Sequence, residues 1–261
     1  MMLNKWWQTE TESAATTDMH KLKGSCISCR QCPIGGVKVD GENISNVFSN
    51  MNLKSKIMVI GQNPGLDEVK QKEPFMGMSG KIFVGMLEKH GLSRAMFYFS
   101  NIVKCHTIEN RQPERDEIHN CQPFLQSEID LVNPYLIVTL GSTALFQITG
   151  LTGISKYSGQ LIISERYQIP VLPLFHPSPL NTNRNNNGDK LEDGVKYLKQ
   201  IMDKVPAEIT NYINSTKSIV ECKWCSKLSK LDYCCDECKE CHEEYIRDTN
   251  LYERKYPWPT K

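Results

Sequence analysis

Residues 56–65 read KIMVIGQNPG, an apolar run that ends in glycine and continues into a polar, constrained loop. A short, uninterrupted apolar run bounded by turn residues is typical of a strand buried on both faces. Three further runs, at 96–103, 135–140 and 171–175, have the same character. Because segments with helical spacing separate the four strands, the sequence predicts an α/β fold, with three α/β/α layers around a mostly parallel four-stranded sheet.

The polar residues that follow these strands are the first candidates for a functional site. The predicted helices cover 79–90, 114–132, 142–149 and about 191–205. In open α/β sheets, ligands bind beyond the carboxyl ends of the strands. The loop at 61–65, Asn101 and His176 each stand at such an end, so we expect them to converge on one crevice.

Composition limits the class of protein. The chain has 261 residues, a formal net charge of +1, and no apolar run near the roughly 20 residues of a membrane span. The balanced charge argues against a wholly electrostatic nucleic-acid binder, although it is compatible with a local basic groove. The N-terminus lacks the apolar core of a signal peptide. We therefore expect a monomeric, soluble, cytoplasmic protein, and the asparagine-rich run at 181–189 favours an AT-rich source such as a phage genome.

Changes in composition predict the domain organisation. Residues 1–20 are polar and indicate a flexible N-terminus, and residues 21–205 form the α/β domain. Within that domain, residues 181–189 are too polar to pack and are expected to form a mobile loop. Beyond residue 206 the chain becomes charged and cysteine-rich, which predicts a linker at 206–217 and a small separate module at 218–261.

Eleven cysteines in a chain without a signal peptide favour metal binding over disulfides. Cys26-x2-Cys29 followed by Cys105-x15-Cys121 supplies four thiolates, the ligand type that a 4Fe-4S cluster prefers, with Cys32 as a fifth candidate. Cys105 and Cys121 could equally be buried apolar side chains, since free cysteine is often buried. The spacing alone leaves both interpretations open.

Two further patterns each have a structural and a functional interpretation. The loop at 61–65 could be an ordinary turn, and Phe75, in the Glu-Pro-Phe-Met-Gly segment at 73–77, could be ordinary core. His176 stands before Pro177 in a rigid loop, but a lone histidine at a strand end is more often structural than catalytic.

The order of these motifs resembles that of the family 4 uracil-DNA glycosylases, the iron–sulfur members of the uracil-DNA glycosylase superfamily. The similarity runs from Cys26 to Val205. The matching motifs are 74–77 (Pro-Phe-Met-Gly), 101–105 (Asn-Ile-Val-Lys-Cys), 110–113 (Asn-Arg-Gln-Pro), Cys121 and 176–178 (His-Pro-Ser). The resemblance implies a monofunctional hydrolase that removes uracil or a related pyrimidine from DNA.

The resemblance also implies a role for each matched residue. Phe75 would stack on a base flipped out of the helix, and Asn101 would pair with the Watson–Crick edge of that base. His176 would stabilise the charge that builds on O2 as the base leaves. Gln62 would also contact the substrate, and Asn63, in the same motif, would position the attacking water.

DNA contacts and a cofactor follow from the same resemblance. The loop Pro177-Ser178-Pro179-Leu180 would press into the minor groove, with Leu180 as the wedge. A 4Fe-4S cluster would have a structural role, and its ligands would be Cys26, Cys29, Cys105 and Cys121.

One motif departs from the family 4 pattern. That family has an acidic residue where Gln62 stands and commonly a small residue at position 63. Here the motif is closer to the Gly-x-Asn-Pro-Gly of the mismatch-specific and single-strand-selective branches. Asp67 and Glu68 could share the water-handling role with Asn63, and the base removed could be 5-hydroxymethyluracil, thymine opposite guanine or a hypermodified pyrimidine.

The C-terminal cysteines predict a second metal site. Cys222-x2-Cys225-x8-Cys234-x3-Cys238 has the spacing of a tetrahedral zinc site and resembles a treble-clef finger. Cys235, Cys241 and His242 are spare candidate ligands. This module could be a structural cap, a DNA clamp or a site for a protein partner.

Two other functions compete with base removal. The fold could recognise a base without cutting it, as a binding module in a replication or DNA-modification complex, since fold alone does not determine function. A third possibility is attachment to DNA through His106, which lies in a loop that carries a covalently reacting histidine in one branch. The long insertion of that branch is absent here.

Overall fold

The computed structural model describes residues 6–37 and 46–204. The helices are α1 (Trp6–Ser28), α2 (Leu66–Gln71), α3 (Met78–Lys89), α4 (Arg115–Val132), α5 (Ser142–Thr149), α6 (Ile154–Tyr157), α7 (Pro179–Thr182) and α8 (Asn187–Asp203). The strands are β1 (Ile57–Gly61), β2 (Tyr98–Asn101), β3 (Leu136–Leu140), β4 (Ile162–Ser164) and β5 (Ile169–Leu174). Two short 3₁₀ turns, Arg94–Met96 and Ile108–Asn110, lie on either side of β2.

The strands form one sheet in the order β2-β1-β3-β5-β4. β1, β2, β3 and β5 run parallel, and β4 pairs antiparallel with β5. The parallel strands are almost wholly apolar and buried because helices cover both faces. This confirms the predicted three-layer α/β/α fold with a mostly parallel sheet.

Alternate residues of the strands face two different helical layers. Met58, Ile60 and Ile137 pack with apolar residues of α1, α4 and α5 in one buried cluster. On the other face α8 contacts both β5 and α3. A Cβ atom on Gly194 of α8 would lie 2.2 Å from Leu174 Cδ2, so glycine allows this helix to approach the sheet closely.

Two asparagines cover the outer edge of β2. The backbone N–H of Phe99 donates to Asn50 Oδ1 (2.9 Å), and the Asn50 backbone N–H donates to the Phe99 carbonyl (3.2 Å). Asn50 Nδ2 and Asn52 Nδ2 both donate to the carbonyl of Phe97. These bonds satisfy strand groups that would otherwise lack a neighbouring strand.

Three parts of the fold differ from the sequence-based expectation. The sheet has five strands, because the three-residue β4 is too short to be recognised without its partner β5. Residues 6–20, expected to be flexible, lie within α1, where Met19 is fully buried and the helix contacts α4. The polar stretch 181–189, expected to be a mobile loop, contains the end of α7 and the start of α8.

No helix in residues 6–37 and 46–204 combines the length and the apolar character that a membrane span requires.

Candidate active site

The carboxyl ends of the four parallel strands lie at one edge of the sheet, and the predicted loops meet there. Gly61 is paired in register with Asn101 at the ends of β1 and β2. His176 follows β5, which is separated from β1 only by β3. The structure therefore brings the loops after β1, β2 and β5 to the same edge, as the sequence predicted.

Gly61 leaves the space that two of the candidate side chains occupy. A Cβ atom at position 61 would lie 2.5 Å from Asn101 Oδ1 and 2.9 Å from Phe75 Cζ, so only glycine fits between them. Asn101 is 5% exposed, and its side-chain amide has no hydrogen-bond partner among the described residues. An aromatic ring and a free amide thus meet over this glycine.

Contacts on several sides hold Phe75 in a left-handed backbone conformation (φ 61°), which is rare for a residue other than glycine. A Cβ atom on Gly80 would lie 2.2 Å from the Phe75 carbonyl oxygen, so α3 packs directly against this backbone. The Phe75 ring lies 5.0 Å from that of Phe99, and the Arg94 guanidinium lies 4.5 Å from the Phe99 ring centre. Arg94 Nη2 also donates to the carbonyl of Pro74 (2.7 Å), which fixes the residue before Phe75.

Glu68 joins the loop after β1 to the loop that carries Phe75. Its Oε2 accepts from the backbone N–H of Gly65 (3.0 Å), and its Oε1 accepts from that of Gly77 (2.9 Å). Because both carboxylate oxygens accept from backbone amides, Glu68 holds two loops together. Asp67 is exposed on α2.

The amides of Gln62 and Asn63 are both hydrogen bonded at this edge. Gln62 Nε2 donates to Asn63 Oδ1 (3.0 Å), and Asn63 Nδ2 donates to Thr107 Oγ1 (3.1 Å). Nδ2 also lies 3.2 Å from the carbonyl oxygen of Pro64. The Asn63 oxygen keeps one lone pair for a further donor, since an amide oxygen accepts two hydrogen bonds.

His176 is a neutral imidazole with a defined tautomer. Burial lowers its pKa, so the ring is uncharged at neutral pH. The backbone N–H of Ser178 donates to Nδ1 (3.2 Å), which places the ring proton on Nε2. The ring packs beside Gly141 (φ 88°), where a Cβ atom would lie 3.2 Å from the His176 Cβ. The site therefore contains a neutral N–H donor.

The loop after His176 presents an apolar tip. Leu180 is 78% exposed, the most exposed large apolar residue of the described chain. Pro177 is buried, Pro179 begins α7, and the backbone N–H of Asn181 donates to the carbonyl of Ser178 (2.9 Å). This compact turn holds the exposed leucine beside the site.

A buried ion pair lies behind Asn101. Lys104 and Glu128 are 1% and 0% exposed, and the Lys104 ammonium donates to a Glu128 carboxylate oxygen. Lys104 Nζ also donates to the Asn101 carbonyl (2.7 Å) and to Ser100 Oγ (2.6 Å), while Tyr98 Oη donates to Glu128 (3.0 Å). These bonds satisfy both charges and fix the end of β2.

Five cysteines share one region between the N-terminal segment and α4. Cys26, Cys105 and Cys121 are buried, whereas Cys29 and Cys32 are partly exposed. Burial, together with the neighbouring thiols, raises the pKa of Cys26 to about 12 and that of Cys121 to about 11. The pKa of Cys105 is raised for the same reasons. Five thiols in one region are the donor type that an iron–sulfur or zinc centre takes, so the donor set fits such a centre.

Two further observations concern the surroundings of these thiols. Among residues 6–37 and 46–204, no three His, Cys, Asp or Glu side chains are close enough to hold one metal ion. The backbone N–H of Lys104 donates to Cys121 Sγ (3.3 Å), a contact typical of cluster ligands.

The predicted zinc ligands, Cys222, Cys225, Cys234 and Cys238, lie outside the described residues, as do Cys235, Cys241 and His242.

Several residues of the site were not identified from the sequence. Of these residues, Glu128 is the one that the sequence could have revealed, because a carboxylate on the apolar face of α4 indicates a buried partner. Arg94, Thr107 and Thr143, whose hydroxyl donates to Gln62 Oε1 (2.7 Å), gave no such signal, since their contacts depend on loops that meet only in the folded chain.

Comparison with known proteins shows an extended match. Residues 48–201, more than half of the chain, match the sequence profile of the uracil DNA glycosylase superfamily. A type-4 uracil-DNA glycosylase of Sulfurisphaera tokodaii is 32% identical over 194 residues, covering 70% of this chain and 84% of that protein. The type-4 enzyme of Thermotoga maritima is 36% identical over 160 residues, covering 60% of this chain and 80% of its own. That of Archaeoglobus fulgidus is 29% identical over 194 residues, covering 72% and 94%.

Proposed function

The chain belongs to the uracil-DNA glycosylase superfamily, and from that premise we propose that it hydrolyses the N-glycosidic bond of uracil in DNA. The observation that carries the proposal is the meeting of the Phe75 ring and the free Asn101 amide over Gly61. Together they offer an aromatic surface and a donor–acceptor pair to one flat, polar base. The target nucleotide leaves the duplex, because its glycosidic bond is unreachable in the stack.

Base recognition falls to Phe75 and Asn101. The ring of Phe75 stacks on the base, and the Asn101 amide donates to O4 of uracil and accepts from N3–H. The buried Lys104 ammonium donates hydrogen bonds to Glu128 and to the Asn101 carbonyl. Lys104 is therefore not free to form a Schiff base, which supports a monofunctional hydrolase.

Departure of the base is assisted by His176. Its neutral Nε2–H donates to O2 of uracil, where negative charge develops as the bond breaks. A neutral donor is suited to this task because the Ser178 N–H occupies Nδ1 and holds the tautomer before the reaction begins.

Water attack is directed by Asn63. As the bond lengthens, the sugar carbon C1′ becomes cation-like, so a well-placed and weakly activated water is sufficient. The free lone pair of Asn63 Oδ1 accepts a hydrogen bond from that water and orients the water oxygen toward C1′. Gln62 acts through Asn63 in this scheme.

DNA distortion is assigned to the loop Pro177-Ser178-Pro179-Leu180. The exposed Leu180 enters the gap left by the departing nucleotide, and the turn around it keeps the strand kinked.

A 4Fe-4S cluster would be held by Cys26, Cys29, Cys105 and Cys121, with Cys32 as the alternative to one of the first two. The similarity to type-4 relatives supports this assignment, and the burial of Cys26, Cys105 and Cys121 is consistent with it. The cluster would join the N-terminal segment to the start of α4. Its iron content, measured in single Cys→Ser variants, identifies which of the five cysteines is dispensable.

We also propose a structural zinc ion on Cys222, Cys225, Cys234 and Cys238, in a small module at 218–261 that is joined to the catalytic domain at 21–205 by the linker 206–217. The support is the ligand spacing. Cys225→Ser is expected to remove one equivalent of zinc and to leave the iron content unchanged. An unchanged zinc content would refute the assignment.

One experiment tests the proposed activity. Purified protein is incubated with oligonucleotides that contain uracil, 5-hydroxymethyluracil, hypoxanthine or a T·G pair, and alkali then cleaves any abasic site. We expect cleavage at uracil in the wild type. Asn63→Ala and His176→Ala should each lose most activity while retaining iron–sulfur absorbance, and His20→Ala, an exposed histidine on α1, serves as the control.

Two results would contradict the proposal. Tight binding of uracil-containing DNA without abasic sites would favour a base-binding module over an enzyme. Full activity in both the Asn63→Ala and His176→Ala variants would leave the reaction intact but overturn the assignment of these residues.

A further inference from the structure

Asn63 belongs to a continuous chain of side-chain hydrogen bonds that crosses the site. Gln112 Nε2 donates to Thr143 Oγ1 (3.3 Å), and Thr143 Oγ1 donates to Gln62 Oε1 (2.7 Å). Gln62 Nε2 donates to Asn63 Oδ1 (3.0 Å), and Asn63 Nδ2 donates to Thr107 Oγ1 (3.1 Å). Thr107 Oγ1 in turn donates to the backbone carbonyl of Arg111 (2.6 Å).

The fixed end of this chain sets the direction of every bond in it. The Arg111 carbonyl can only accept, so the single hydroxyl proton of Thr107 is used there. Thr107 must then accept from Asn63, which requires the NH₂ group of Asn63 to face Thr107. The carbonyl at Pro64 also faces this NH₂ group and favours the same orientation.

The orientation of Asn63 determines that of Gln62. With its NH₂ group turned to Thr107, Asn63 presents its oxygen to Gln62. Gln62 must therefore donate to that oxygen from its own NH₂ group. The Gln62 oxygen is thereby turned to Thr143, whose hydroxyl donates to it. The amide at position 62 is required because a carboxylate would have no proton to give to Asn63 Oδ1.

The segment after Thr107 is itself tied to the domain. Arg111 forms two bonds to Glu117, from Nη1 (2.8 Å) and Nη2 (2.6 Å), and Glu117 is 2% exposed. This pair lowers the pKa of the Glu117 carboxyl, chiefly through the hydrogen bond from Arg111. The acceptor that sets the direction of the chain is thus anchored to the first turn of α4.

We infer that Thr107 and Thr143 are positioning residues that hold the Asn63 amide with its oxygen, and not its NH₂ group, toward the attacking water. Thr107 does so directly, and Thr143 does so through Gln62. This inference rests on the proposed function, because it explains how the water-directing group of that reaction acquires its orientation.

The decisive variant is Thr107→Val, which keeps the shape of the side chain but removes its hydroxyl. Thr107 is fully buried, so the Arg111 carbonyl loses its donor and Asn63 loses one of its two acceptors. In single-turnover assays with excess enzyme, we expect the rate of uracil release to fall about 10- to 100-fold. The affinity for DNA with an abasic-site analogue should be unchanged, and Thr107→Ser should restore most of the rate.

A double-mutant cycle separates positioning from a general structural defect. If Thr107 acts through Asn63, Thr107→Val should cause little further loss in an Asn63→Ala background, and the same applies to Thr143→Val. Thr149→Val is the matched control, since Thr149 lies on the same helix as Thr143 and its hydroxyl bonds only within the Leu145–Leu151 segment. Its rate should equal that of the wild type.

The outcomes distinguish this inference from the proposed function. A wild-type protein that releases no uracil refutes the function itself. An active wild type with an unaffected Thr107→Val variant, or with losses that add fully to that of Asn63→Ala, refutes the positioning role alone. If Thr107→Val does not fold, the same cycle with the partly exposed Thr143 decides the question.

Discussion

Substituting alanine for Gly61 tests whether Phe75 and Asn101 form the base pocket. The added Cβ atom would lie 2.5 Å from Asn101 Oδ1 and 2.9 Å from Phe75 Cζ, whereas ordinary contact begins near 3.4 Å. The amide must therefore retreat by about 0.9 Å and the ring by about 0.5 Å. Because a misplacement of about 1 Å costs on the order of 100-fold in rate, we expect kcat/KM for uracil release to fall about 100-fold.

The same variant should remain folded, so that its loss of activity can be assigned to the pocket. Overpacking of this kind costs about 1–3 kcal/mol, which leaves a folded protein. Gly85→Ala is the control, because Gly85 is exposed on α3 and an added Cβ atom would meet nothing within 4 Å. That variant should keep full activity and gain about 0.5–1 kcal/mol. A Gly61→Ala enzyme within about threefold of the wild-type rate would refute this description of the pocket.

Three other predictions follow from the contacts around the site. Lys104→Met should lower the free energy of unfolding by about 3–5 kcal/mol in urea titrations, because it leaves the Glu128 carboxylate buried without its cation. The double variant Lys104→Met/Glu128→Leu should recover most of this loss, and no recovery would contradict the ion-pair explanation. Arg94→Ala should raise KM about tenfold and change kcat little, because it frees the backbone before Phe75. Arg94→Lys should not restore KM, since lysine cannot stack flat on the Phe99 ring. Burial lowers the pKa of His176, so below about pH 6.5 the unfolded chain binds a proton that the folded chain does not. The free energy of unfolding should therefore fall as the pH drops, until the folded pKa is passed. His176→Asn should reduce the slope of the free energy of unfolding against pH between pH 8 and 5.5, and an unchanged slope would mean that other groups cause it.

The parts of the fold that the sequence predicts are those determined by local patterns. Continuous apolar runs locate β1, β3 and β5 because strands buried on both faces need apolar residues at every position. Helix α5 was predicted with both of its ends, since Gly141 and Gly150 stand on either side of it. By contrast, β4 owes its existence to its partner, and α1 has no clear apolar stripe, although Met19 is buried against the domain.

The site could be predicted residue by residue but not as a network. The positions of Asn63, Asn101 and His176 follow from the rule that parallel strands end at one edge. The left-handed conformation of Phe75 could not be foreseen, because tertiary contacts with α3 and Arg94 impose it on a residue that does not prefer it. The loop-joining contacts of Glu68 could not be predicted for a similar reason, since its two amide donors come from loops that meet only after folding.

The strand that ends in Asn101 lies at one edge of the sheet, where an extended foreign chain could pair with it. Phe99 is already paired on that side, because its N–H donates to the Asn50 side-chain oxygen and its carbonyl accepts from the Asn50 backbone N–H. The Phe97 carbonyl, just before the strand, accepts from the side-chain amides of Asn50 and Asn52. The contacts that hold the strand of Asn101 in place therefore also leave fewer of its backbone groups open to a second copy of the chain.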